Sequence, residues 1–96
     1  MPATGTGIVV ERTVRIGSTH GLHARPAKLF TQAAAASGSS VTIQKSGGSP
    51  VNAASILAVI AQGIDHGDEV TIVVDGGDEQ AVLDQLVELL STDHDE

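Results

Sequence analysis

Two side chains suited to chemistry at neutral pH, His23 and Arg25, stand two positions apart in Gly21-Leu22-His23-Ala24-Arg25-Pro26-Ala27. Histidine titrates near neutrality, and its uncharged ring offers a nucleophilic nitrogen. Immediately behind it, Ala24 to Ala36 holds six alanines and reads as a helix. Proline is tolerated only in a first turn, so Pro26 marks the helix start and puts His23 at or next to the N-cap. Gly21 supplies the turn from a preceding strand. Free N–H groups and the positive end of the dipole make such a helix start an anion site. Arg25 and Lys28 add two cations where the dipole by itself favours acids. Nearby positive charge also disfavours imidazolium. A neutral imidazole beside a ready-made dianion site is what a transient phosphohistidine requires.

The other chemically able residues have simpler readings. His20 and His23 are three apart, but there is no cysteine, and no acid occurs between Glu11 and Asp65 to complete a metal site. His66 and His94 sit among acids in a turn and a tail. No acid or second nucleophile accompanies His23 in the motif, which argues against an independent hydrolase. Lys28 reads either as a rim charge for partner docking or as a solvated lysine. Ser55, just before Ile56-Leu57-Ala58, is a competent helix N-cap. Ile56, Leu57 and Ile60 read either as a docking patch beside His23 or as core.

The elements that must position these residues follow from pattern. Ninety-six residues suit one domain, and a 41% hydrophobic fraction can fill a core of Val, Ile, Leu and Ala around the single aromatic, Phe30. Residues 1–10 are expected to form a disordered tail and strand lead-in, 11–91 the domain, and 92–96 an acidic tail. Glu11 to Ile16 alternates as a strand, with Val14 and Ile16 on one face. The first helix should bury Ala27, Phe30 and Ala34, and Ser37-Gly38-Ser39 ends it. Val41 and Ile43 mark a second strand, Pro50 to Asn52 a short edge strand. Ala53 to Gln62 is a short helix stopped by Gly63, and Glu69 to Asp75 is the clearest strand. Asp78 is placed to cap a last helix carrying Val82, Leu86, Leu89 and Leu90 at helical spacing. The order strand, helix, two strands, short helix, strand, helix predicts a two-layer α+β domain.

Charge is segregated along the chain, which carries a net −7. All five Lys and Arg lie at or before Lys45 with one acid, Glu11, and the other eleven acids run from Asp65 onward. This argues against a nucleic-acid surface and for a small basic patch that docks an acidic partner. No stretch approaches the apolar length of a membrane span, and the N-terminus lacks the pattern of a signal peptide, so a cytoplasmic protein is expected.

The complete heptapeptide Gly21 to Ala27, in a strand-to-helix setting, resembles HPr, the histidine-containing phosphocarrier family of the bacterial phosphoenolpyruvate-dependent sugar phosphotransferase system. The resemblance runs from about Glu11 to about Leu90. It implies an open-faced sandwich, a four-stranded, mostly antiparallel sheet with three helices on one face. It further implies that His23 accepts a phosphoryl group on Nδ1 from phospho-enzyme I and passes it to sugar-specific enzyme IIA. The phosphate would be held by Arg25 and by the helix start at Ala24 and Arg25, with Lys28, Ile56, Leu57 and Ile60 docking partners. Such a protein is a monomeric carrier, not an independent enzyme, and needs no metal or cofactor of its own. In some members the serine matching Ser55 is phosphorylated by a dedicated kinase, which adds a serine kinase and regulators as conditional partners. Two positions depart from the pattern: His20 stands where a small polar residue is usual, and Ala54 where regulated members often have lysine. The alternatives are a regulatory phosphocarrier of a nitrogen-related branch and a binding module controlled through Ser55.

Overall fold

The computed structural model describes residues 9–17, 21–22 and 24–92. Strand β1 (Val9–Arg15) leads to helix α1 (Ala24–Ala36), strands β2 (Ser40–Lys45) and β3 (Val51–Asn52), helix α2 (Ile56–Ala61), strand β4 (Glu69–Asp75) and helix α3 (Glu79–Ser91). The four strands form one sheet in the order β1-β4-β2-β3, and every pairing is antiparallel. The element order and the sheet are those expected from the sequence.

Strand β4 lies between β1 and β2, and its clean alternation turns one face to the core. Its Val70, Ile72 and Val74 are buried, as are Val41 and Ile43 beside them on β2. In the β1–β4 register, Val10 stands opposite Val74 and Val14 opposite Val70. The core lies on this one face, where Ala27, Phe30 and Ala34 of α1 and Val82, Leu83, Leu86 and Leu90 of α3 join it. Truncating a fully buried leucine there, such as Leu86, would cost about 2–5 kcal/mol. The opposite face carries mostly polar side chains beside Val9 and Val73; Thr13 and Thr71 share a hydrogen bond across it at 2.9 Å. Among the described residues, no helix is long and apolar enough to cross a membrane.

Several expectations need adjusting. Strand β1 starts at Val9, two residues early, because Val9 and Val10 pair with Asp75 and Val74. Ile16 lies just past its end, yet is buried and donates its N–H to Asp68 O at 2.9 Å. Helix α2 is shorter than Ala53 to Gln62, since Ser55 caps it and Ala53 is instead buried, its N–H bonded to Val41 O. Asp78 occupies the N-cap position of α3, but its side chain makes no capping hydrogen bond. Its backbone carbonyl still accepts the first helical N–H, from Val82, at 3.0 Å.

Candidate functional site

The start of α1 is held from both sides by the chain around it. The backbone at Gly21 has φ of +78°, and a Cβ there would fall 2.6 Å from Ile64 O and 2.8 Å from Asp65 Cα. A side chain at this position is therefore excluded by conformation and by space. Leu22 is buried and donates its N–H to Ile64 O at 2.9 Å. His23, the expected phosphoryl acceptor, lies outside the described residues, as do Ser18 to His20. At the end of β1, Gly17 donates to Leu90 O at 2.8 Å, and a Cβ there would run into the Ser91 carbonyl. Gly17 is thus fastened to the end of α3, and Gly21 and Leu22 to residues 64–65.

Helix α1 begins at Ala24, with Pro26 in its first turn as the sequence predicts. Pro26 and Ala27 are buried, whereas Arg25 and Lys28 are exposed. The first turn carries no acid. Pairing across the fold separates these two cations from the rest. Arg12 lies 3.7 Å from Asp84, Arg15 lies 3.4 Å from Glu69, and Lys45 lies 3.5 Å from Asp68. Neither Arg25 nor Lys28 forms an ion pair with a described residue. The N-terminal half carries five cations against one acid in sequence, but the two at the start of α1 are the ones that form no ion pair among the described residues.

Helix α2 presents the second feature. The Ser55 hydroxyl accepts from the Ala58 N–H at 3.3 Å, which makes it the cap its sequence position predicts. Leu57 is 79% exposed, and Ile56 and Ile60 are each 39% exposed. Val59 alone of this helix is buried, so the stripe Ile56, Leu57 and Ile60 is not core. Ile64, which binds the Leu22 N–H, follows the end of α2 by three residues, so that end meets the start of α1. The open groove between the C-terminal end of α1 and the β2–β3 edge, lined by Ala34, Ala35, Pro50 and Val51, contains no charged side chain. It has none of the groups the heptapeptide brings.

A family model described as the PTS HPr component phosphorylation site matches residues 10–92. The chain belongs to the HPr family. It is similar to the phosphocarrier protein HPr of Streptomyces coelicolor, 47% identical over 83 residues that cover 86% of this chain and 89% of that one. It is also similar to the HPr-like protein Crh of Bacillus subtilis, 40% identical over 78 residues, 81% of this chain and 91% of that one. The crystal structure of a phosphocarrier protein HPr from Bacillus anthracis superposes with a TM-score of 0.81 at 34% identity, covering 85% of this chain and 96% of that one. The open-faced sandwich read from the sequence is therefore the HPr fold, and the chain is an HPr-type phosphocarrier of the phosphotransferase system.

What the sequence missed at this site is its floor. Ile64 and Asp65 sit some forty residues beyond the heptapeptide, inside a stretch, Gly63 to Asp68, whose composition signals only a turn. No spacing rule ties such a turn to Gly21; the contact exists because the sheet brings the start of β4 beside the end of β1.

Proposed function

We propose that His23 accepts a phosphoryl group from phospho-enzyme I and donates it to sugar-specific enzyme IIA. The neutral imidazole attacks phosphorus through Nδ1; a phosphorus–nitrogen bond forms as the bond to the donor group breaks. The first-turn N–H groups of α1, from Ala24 onward, and the Arg25 fork take up the charge on the phosphoryl oxygens. The exposed Ile56, Leu57 and Ile60 provide an apolar anchor for the partners, with Lys28 as a charge on its rim. The observation that carries this reading is the pair of exposed cations, Arg25 and Lys28, at the start of α1, where the chain's other cations are tied to acids.

Incubation with enzyme I and labelled phosphoenolpyruvate should add one acid-labile phosphate. His23→Ala should fold normally, because loss of a cap residue costs only about 0.5–2 kcal/mol, and should take no label. Label retained at the same stoichiometry in that variant would overturn the assignment. A second reading, regulation through phosphorylation of Ser55 by a serine kinase, draws on the position of Ser55 as the cap beneath the exposed face of α2.

A further inference from the structure

The connection between α2 and β4 does more than turn the chain. Its Ile64 carbonyl and Asp65 backbone are what Gly21 and Leu22 rest on, and these two residues immediately precede His23. The connection is itself shaped by one carboxylate. Asp68 Oδ2 accepts the Asp65 N–H at 2.8 Å and lies 3.5 Å from Lys45 Nζ, while the Asp68 N–H donates to Asp65 O at 3.1 Å. Lys45, at the end of β2, also donates from Nζ to Gly63 O at 2.9 Å and from its backbone to Gln62 Oε1 at 3.3 Å. Every residue from Gln62 to Asp65 thus bonds either to this pair or to Leu22.

We propose that Asp68, braced by Lys45, is a positioning residue for phosphoryl transfer: its carboxylate fixes the 62–68 connection as the seat for Gly21 and Leu22, the two residues that precede His23 in the chain. The inference rests on the reading of His23 as the acceptor. Loss of the carboxylate frees the Asp65 N–H and leaves Lys45 Nζ with Gly63 O as its partner in the connection, so the Asp65 side of the Ile64 carbonyl loses its anchor. Small displacements of a reacting group carry large rate penalties.

The test compares Asp68→Ala, Asp68→Asn and Ser39→Ala. The last removes a side-chain hydrogen bond to Gly76 O at the other end of the sheet and serves as a structural control. With enzyme I and phosphoenolpyruvate, Asp68→Ala should lower the maximal rate of His23 phosphorylation about tenfold. The carrier concentration at half-maximal rate should stay unchanged, because α2 is untouched. Asp68→Asn, whose amide oxygen can still accept the Asp65 N–H, should recover part of the rate. NMR should show faster amide exchange at Leu22 and shifted His23 imidazole resonances in Asp68→Ala, smaller changes of the same kind in Asp68→Asn, and none in Ser39→Ala. Unaltered Leu22 exchange and imidazole resonances in Asp68→Ala would overturn the proposal, as would an equal rate loss in Ser39→Ala. Wild-type protein that takes no label would instead overturn the carrier reading, and the NMR comparison, which requires no phosphoryl transfer, would still decide whether Asp68 governs the seat.

Discussion

Arg25 is the side chain whose exposure, and lack of an acidic partner among the described residues, matter most. Its planar fork can meet two phosphoryl oxygens at once, and a hydrogen bond to a charged group contributes about 1.5–3 kcal/mol. Arg25→Ala should therefore slow phosphorylation of His23 about ten- to a hundredfold. Arg25→Lys should restore only part of that, since an ammonium keeps the charge and loses the fork. Because Arg25 is exposed, thermal unfolding should be nearly the same in all three proteins. Rates measured with enzyme I and phosphoenolpyruvate, set beside the unfolding midpoints, check both statements.

At the scale of elements, α2 combines a cap that stabilises it with an apolar face that leaves the core. Ser55→Asp separates these roles. Aspartate caps as well as serine and suits the positive helix end, so stability should stay within about 0.5 kcal/mol of wild type. The added charge stands beside Ile56 and Leu57. If α2 docks an acidic partner, phosphorylation of His23 should slow because like charges then face each other. The gap between variant and wild type should narrow as salt is added. Equal rates across a salt series would leave Ser55 as a cap alone and remove it from the docking surface.

Across the whole molecule, the ion pairs tie early cations to late acids, and one of them couples stability to pH. The Asp65 N–H holds the Asp68 carboxyl below its ordinary value of 3.8; partial burial opposes this, and the Lys45 charge adds to the lowering. A carboxylate lowered in the folded state stabilises the fold fully above its unfolded value. That contribution fades as pH falls through the lower folded value. Wild type should therefore unfold at a higher temperature than Asp68→Asn near pH 6, and the difference should shrink below about pH 4. A difference that stays constant down to pH 2 would show that the charge of Asp68 contributes nothing.

Local pattern decided much of this protein by itself. The alternation of Val70, Ile72 and Val74 made β4 a strand with one buried face, and Pro26 behind His23 dated the start of α1, because both rules act over a few residues. Ser55 was legible as a cap for the same reason. Asp78 shows the limit of such reasoning: it has the right residue type at the right position, yet its side chain makes no capping bond. Ile56, Leu57 and Ile60 could have been core or surface by spacing alone, and the tertiary packing chose Val59 for the core and left them exposed. The segregation of charge had the same ambiguity. Antiparallel pairing carries Arg15 to Glu69, and packing of α3 and the α2–β4 connection brings Asp84 to Arg12 and Asp68 to Lys45, which singles out Arg25 and Lys28. The seat beneath Gly21 was invisible for the plainest physical reason: it is made by residues 64 and 65, and only the closing of the sheet brings a segment forty residues away within 2.9 Å of Leu22.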